Sequence, residues 1–312
     1  MGEENSTVIS EFILLGISRR QDLNVLFFTI FLIMYLTTVL GNLIVILAVR
    51  LDGHLLQAPM YFFLINLSLV DICFMTTTVP KMLANTLSGV SKISYGGCLA
   101  QMYFFIAFGI TDSFLLASMA LDRYMAICRP LHYATVMSKH VCWLLVTASW
   151  LVSHLHSLLH TLLMSRLSFC ATNHVLHFFC DVFPLLKISC SKTLLNTLVV
   201  HTEGALIVNG ALIFIALSYA RILIAVLRIP STEGKRKAFS TCGSHLTVVG
   251  LFYGTVIWVY FQPSSSFSAE KDTLAAIMYT VVTPILNPFI YTLRNDKMKD
   301  ALRKLLGRKV NT

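Results

Sequence analysis

The sequence predicts an all-α membrane protein, a seven-transmembrane-helix bundle with its N-terminus outside the cell. Three observations predict this class. The 312 residues are 56% hydrophobic and only 12% charged, whereas soluble domains carry about 25% charged residues. The apolar residues are gathered into seven segments, each near the ~20 residues needed to cross a bilayer. Most Lys and Arg residues lie on one alternate set of connections together with the C-terminal tail.

The apolar segments divide the chain into a bundle and two tails. Residues 1–22 form the predicted extracellular tail, residues 23–293 the bundle, and residues 294–312 the cytoplasmic tail. The connection at 166–192 is 27 residues long, and such a length indicates a constrained or functional loop. We place the seven spans at 23–49, 57–84, 95–121, 139–165, 193–227, 238–262 and 272–293.

Lys and Arg set the predicted orientation of the bundle. Of 24 such residues, 16 lie in the loop at residue 50, in the regions 123–139 and 221–237 and on the C-terminal tail. Basic connections face the cytoplasm, so the N-terminus is predicted to be outside. Asn5, in the sequon Asn5-Ser6-Thr7, is then a glycosylation acceptor. The same distribution accounts for the net charge of +9 without a nucleic-acid partner.

Half of the eight cysteines fall on segments that this topology places outside the cell. An even number of cysteines in an oxidising compartment indicates disulfides. Four cysteines allow three pairings, and the residues alone do not choose among them. The four are Cys98, Cys170, Cys180 and Cys190.

Three carboxylates interrupt the predicted spans: Asp71, Asp112 and Glu203. A charge in the membrane is costly, so each is expected to face the interior and to have a partner. Asp71 and Asp112 could share a proton or hold a cation. The alternative is that each acid bonds to nearby Ser, Thr or Asn groups.

A charged cluster ends the third span, with Asp122, Arg123 and Tyr124 in succession. Asp122 could hold Arg123 by a charge-assisted hydrogen bond, which would make a latch that other parts of the bundle open. The alternative is an interfacial cluster that only fixes the depth of the helix.

Four motifs carry a family resemblance. They are MALDRYMAICRP at 119–130, PMYFFL at 59–64, KAFSTCGSHL at 237–246 and PILNPFIY at 284–291. In order and spacing they resemble the olfactory receptor family of rhodopsin-like G-protein-coupled receptors. The chain departs from the family pattern at Leu121 and Met125, where Tyr and Val are usual.

The resemblance implies an odorant-activated receptor of the plasma membrane, in the cilia of sensory neurons. It would bind small volatile molecules between the third, fourth, fifth and sixth spans and activate a stimulatory olfactory-type G protein, which raises cyclic AMP. Cys98 would pair with Cys180, and Cys170 with Cys190, so that the long loop forms a lid. The tail from residue 294 would be a short amphipathic helix with its apolar face formed by Met298, Leu302, Leu305 and Leu306.

The resemblance also implies roles for individual residues. The candidate odorant-binding residues are Met102, Phe105, Ile106, Gly109, Ile110, Glu203, Ile207, Tyr253, Val256, Ile257 and Tyr260. The candidate residues for G-protein coupling and activation are Asp122, Arg123, Tyr124, Tyr219, His245, Asn287, Pro288 and Tyr291.

Other functions fit the sequence less well. A transporter would show repeat symmetry or paired broken helices, and a membrane enzyme would show a motif such as His-Glu-x-x-His or Gly-x-Ser-x-Gly. His156 and His160 share a helix face, and the segment 177–181 resembles a motif proposed to bind copper in odorant receptors. A disulfide at Cys180 would remove the thiolate, so we expect no metal and no cofactor.

Overall fold

Long helices dominate the fold. The computed structural model describes residues 9–15, 23–169, 172–260, 273–274, 276–293, 295–305 and 307. The long helices are α1 (Asn24–Leu51), α2 (Pro59–Ser88), α3 (Tyr95–Cys128), α4 (Lys139–Ser165), α5 (Ala205–Leu227), α6 (Thr232–Tyr260), α7 (Thr283–Leu293) and α8 (Asp296–Leu305). Shorter helical elements are Gly53–Leu56, Pro130–His132, Tyr133–Val136, Val182–Ile188, Leu194–Val199 and the π-helical turns Val200–Gly204 and Met278–Val282. The strands are β1 (Glu11–Leu14), β2 (Lys92–Ser94) and β3 (His174–Val175).

Within the described ranges, five helices are long and apolar enough to cross a membrane. They are α1 to α4 and the continuous helical run Leu194–Leu227, and they coincide with the first five predicted spans. The sixth and seventh predicted spans fall on α6 and on residues 278–293. Residues 261–272, between those two, lie outside the described part of the chain. The chain is thus a multi-pass membrane protein, while the number seven and the orientation stay predictions.

Helix α3 continues beyond the predicted third span, to Cys128 rather than residue 121. A fall in hydrophobicity marks the membrane boundary and not the end of a helix. The helix stops shortly before Pro130, which cannot continue the backbone hydrogen bonds. Asp122 and Arg123 are therefore helical residues, and both are buried.

Short polar residues set several helix ends. The Ser94 Oγ accepts a hydrogen bond from the Gly97 N–H at 3.1 Å at the start of α3. Ser138 caps α4 in the same way through the Val141 N–H. Helix α2 stops at Gly89, whose φ of +66° is favourable for glycine.

Helix α3 lies at the centre of the bundle and packs against α2, α4 and α5. In the most apolar 18-residue stretch of α3, 61% is buried inside the protein, whereas 22% of the corresponding stretch of α1 is buried. The large apolar side chains that α1, α4 and α5 leave exposed include Leu36, Leu40, Leu151 and Leu217. Such surfaces suit contact with lipid chains.

A small sheet covers one end of the bundle, which we call the loop end. Strand β1 pairs antiparallel with β2 and parallel with β3. Phe12 is fully buried and packs edge-on against Phe169. The segment 9–15 is thus part of a folded cap, a feature that its polar neighbours in sequence did not predict.

Helix α8 packs against α1 at the opposite end of the bundle, which we call the α8 end. Met298 is fully buried, and Leu302 packs against the same core. Leu305 is 37% exposed, and Leu306 lies outside the described residues. The amphipathic character expected of this segment is therefore present over its described part.

Candidate functional site

A cavity of about 250 Å³ lies at the loop end, between α3, α5 and α6. Its wall is mainly apolar. Residues 181–183 cover it from the loop, and Tyr279 closes it beside α7. An apolar chamber with few polar groups is the usual form of a small-molecule site.

Five residues chosen from the sequence line this cavity: Phe105, Ile106, Gly109, Ile110 and Val256. The first four lie on α3, where Phe105 and Gly109, and likewise Ile106 and Ile110, are four residues apart and therefore share one helix face.

The other predicted binding residues whose side chains the structure describes lie around the cavity rather than in its wall. Met102 is fully buried beneath the sheet, and Ile257 is 44% exposed on the outer surface of α6. Tyr253 lies behind the wall, and its O–H is 2.5 Å from the Oγ of Ser113, which lines the cavity. Ile207 is half-buried, and the Tyr260 side chain lies outside the described part.

Sequence reasoning missed lining residues on helices outside the expected four. Phe74 on α2 stacks on Phe105 with ring centroids 4.9 Å apart, and Tyr279 meets the same ring at 5.7 Å. Phe252 on α6 also lines the cavity and was not among the predicted binding residues. No signal in a single sequence indicates which apolar face of α2 meets the cavity.

The cavity is covered because the long loop is tied down. The disulfide Cys98–Cys180 joins α3 to the loop, as the resemblance implied. The Gln101 Oε1 accepts from the Cys180 N–H at 2.9 Å, and its Nε2 donates to the Thr77 carbonyl at 3.0 Å. Cys190 is also disulfide-bonded, whereas Cys170 lies outside the described residues, as does Asn5.

His156 and His160 form a polar part of the cavity wall, and Glu203 lies behind them. The Nδ1 of His156 is 2.6 Å from one Glu203 oxygen, and the Nε2 of His160 is 3.2 Å from the other. Both imidazoles line the cavity and are buried. Glu203 comes from the π-helical turn Val200–Gly204, a deviation that often marks functional positions.

In the loop motif at 177–181, the His177 side chain packs against its aromatic neighbours. His177 stacks on Phe178 with ring centroids 4.8 Å apart, and burial lowers its pKa to about 4. Cys180 has no thiolate to offer because its sulfur is in the disulfide.

The two mid-bundle acids have different surroundings. Both oxygens of Asp71 accept from the Asn287 Nδ2, at 3.1 and 2.9 Å. Among the described residues, the buried Oδ1 of Asp112 has no hydrogen-bond partner. A bond to an Asn group, as in the alternative, is thus present at Asp71.

The predicted bond between Asp122 and Arg123 is not formed by the described side chains. The Asp122 Oδ1 instead accepts from the Tyr133 O–H at 2.7 Å. Adjacent residues on a helix point about 100° apart, so the two neighbours diverge. Burial and the Asp122 carboxylate together raise the pKa of Tyr133 above its ordinary value.

His245 links three helices at the α8 end of the cavity. It is fully buried. Its Nε2 donates to the Leu116 carbonyl at 3.0 Å, so in the neutral ring Nδ1 accepts from the Tyr219 O–H at 2.7 Å. Residues of α3, α5 and α6 therefore share one buried hydrogen-bond network.

The remaining predicted activation residues surround this network. Tyr291 is buried in the same core, against which Tyr124 packs. Pro288 lies so close to α1 that a Cβ at Gly41 would be 3.1 Å from its Cγ.

These features define a multi-pass membrane protein with a covered apolar cavity above a buried polar network. The olfactory receptor family model matches residues 31–309. The chain is 58% identical to Olfactory receptor 1f45 of Rattus norvegicus, over 98% of each chain. It is 57% identical to Olfactory receptor 1F1 of Homo sapiens, over 99% of each chain. It is 53% identical to Olfactory receptor 1M1 of Mus musculus, over 100% of this chain and 99% of the relative.

The chain belongs to the olfactory receptor family. It is therefore a G-protein-coupled receptor of sensory transduction and not an enzyme.

Proposed function

We propose that this receptor binds small volatile molecules in the cavity at the loop end and, once occupied, activates a stimulatory olfactory-type G protein that raises cyclic AMP. We place it in the ciliary membrane of sensory neurons, with seven spans and the loop end outside. The observation that carries the proposal is the covered apolar cavity.

The size and lining of the cavity support a small apolar ligand. Its volume, about 250 Å³, is below the ~300–1,000 Å³ typical of sites for drug-sized ligands. Phe74, Phe105 and Tyr279 supply aromatic surface on one side. Ser113, His156 and His160 supply the polar groups that would orient a ligand.

A route from the cavity to the opposite end runs along α3. Ser113 lines the cavity and bonds to Tyr253 on α6. Leu116, one turn further on, bonds to His245 on α6. A ligand that moves α6 against α3 would therefore disturb both bonds. We propose that this disturbance passes to Tyr219 and Tyr291 and makes the buried Arg123 accessible to the G protein, with Asp71 and Asp112 as a cation or proton site on the way.

A filled-cavity variant tests where the ligand binds. A Cβ at Gly109 would meet Phe74 at 3.6 Å, an ordinary contact, so Gly109→Leu is expected to fold while it fills the cavity. Gly210→Leu on α5 is the matched control because nothing lies within 4 Å of its Cβ position.

The readout is cyclic AMP in cells that carry each variant at equal surface density, over a panel of apolar volatiles. Gly109→Leu should raise the half-maximal concentration of an active odorant by roughly 10-fold or more, and Gly210→Leu should not. Equal responses of Gly109→Leu and the parent would refute this binding site. No odorant response of the parent to any member of a broad panel would count against the function itself.

A further inference from the structure

The cluster of His156, His160 and Glu203 has the composition of a metal site. Two imidazoles and one carboxylate are the donor set of many catalytic zinc sites, which keep a further position open. The three candidate ligand atoms lie within 4.8 Å of one another. Only the histidine pair on one helix could be recognised from the sequence, whereas the fold brings the carboxylate to it.

Local structure directs all three side chains to one point. His156 and His160 are four residues apart on α4, so they share a face, and their ring centroids are 4.5 Å apart. The π-helical turn Val200–Gly204 adds a residue to the helical path before α5 and so shifts the direction in which Glu203 points. The ligands thus come from two helical elements, α4 and the turn Val200–Gly204, and such elements hold side chains in a fixed geometry.

The position of the cluster distinguishes it from a surface ion pair. The two imidazole side chains are each 5% exposed, and the Glu203 side chain is 36% exposed. Both imidazoles also face the cavity. An ion held by the cluster would therefore have its remaining coordination positions directed at the cavity.

We propose that His156, His160 and Glu203 bind a divalent transition-metal ion, with Zn²⁺ the ion that best suits the donors, in the wall of the cavity. Ligand atoms about 2.1 Å from a tetrahedral ion lie roughly 3.4 Å apart. The carboxylate now bonds directly to the imidazoles at 2.6 and 3.2 Å. Entry of the ion would replace these hydrogen bonds by coordination to the same three side chains.

The test measures Zn²⁺ binding to the purified full-length receptor in lipid nanodiscs, without any odorant. Equilibrium dialysis gives the stoichiometry and affinity, and the melting temperature with and without Zn²⁺ gives a second readout. The variants are His156→Gln, His160→Gln and Glu203→Gln. The matched control is His154→Gln, on the same helix, whose ring bonds to the Tyr103 O–H at 2.8 Å outside the cluster.

The parent and His154→Gln should each bind one equivalent tightly and melt at a higher temperature with Zn²⁺. Each cluster variant should lose more than about tenfold in affinity, since even an outer partner of a ligand is worth that much. Glu203→Gln keeps a hydrogen-bonding side chain, so it remains informative where a histidine variant fails to fold. Co²⁺ should give visible absorption bands of a low-coordinate site with the parent and not with the cluster variants.

Two results would overturn the proposal. One is a parent that binds no stoichiometric Zn²⁺, which would leave the cluster as a hydrogen-bonded anchor between α4 and the start of α5. The other is binding that His156→Gln, His160→Gln and Glu203→Gln leave unchanged. Neither result bears on odorant activation, because no odorant is used.

Discussion

The loop half and the α8 half of this bundle are built in opposite ways around the same helix. On the loop side of α3, Phe105, Ile106 and Ile110 face the covered apolar cavity. On the α8 side, buried polar groups such as His245 are held by specific bonds. Apolar walls tolerate changes of shape, whereas a buried polar network needs every partner. We therefore expect substitutions in the loop half to change ligand preference, and substitutions in the α8 half to impair coupling.

The largest effect is expected from removing the disulfide that holds the long loop over the cavity. Cys98→Ser removes the disulfide to Cys180 and should cost about 2–5 kcal/mol of stability. We expect loss of surface expression or of the odorant response. Surface labelling measures the first, and cyclic AMP in the same cells measures the second. Cys73→Ser is the control because Cys73 is a free cysteine. Signalling by Cys98→Ser at the parental level would show that the cover does not depend on this bond.

The next effect comes from breaking the network of the α8 half. His245→Phe leaves the Leu116 carbonyl and the Tyr219 O–H without their partner, at about 1–3 kcal/mol for a buried unpaired group. Tyr219→Phe removes one bond only and should be milder. The melting temperatures of both single variants and the double variant form a cycle. A double variant less destabilised than the sum supports the network; strict additivity would mean that the two residues act separately.

The smallest effect concerns the two mid-bundle acids. Asp71→Asn replaces a carboxylate that accepts twice from Asn287 and should change basal cyclic AMP. If Asp71 and Asp112 share a cation or a proton, Asp112→Asn should act non-additively with it. Basal cyclic AMP at matched surface density is the measurement. Additive changes would indicate that the acids are independent, as they would be if each only bonded locally.

The sequence predicted the first five membrane helices well, because long apolar segments are an unambiguous signal. The family resemblance also predicted four α3 residues of the cavity wall, which are Phe105, Ile106, Gly109 and Ile110. The sequence did not predict the strand at Glu11–Leu14, since four residues with one alternating pattern are too short a signal. Pairing with two distant strands stabilises that strand.

Other features depended on directions that only the fold supplies. Asp122 is adjacent to Arg123 in sequence but bonds to Tyr133, because neighbours on a helix diverge. Glu203 was expected among the binding residues, yet its contact with His156 and His160 depends on a π-helical turn. The periodicity of the sequence does not predict such a turn.

The central claim is that the loop half binds the ligand and the α8 half couples it to the G protein. Arg123 is the decisive residue for coupling. Lys keeps the positive charge and would serve equally as a depth anchor, but it lacks the planar fork of Arg that contacts a partner at several points.

Full dose–response curves of cyclic AMP, at equal surface density, test this division most directly. Gly109→Leu should shift the half-maximal odorant concentration and leave the maximum response in place. Arg123→Lys should reach the surface and lower the maximum for every active odorant. A parental curve for Arg123→Lys would contradict the account and leave Arg123 as an anchor that only sets the depth of α3.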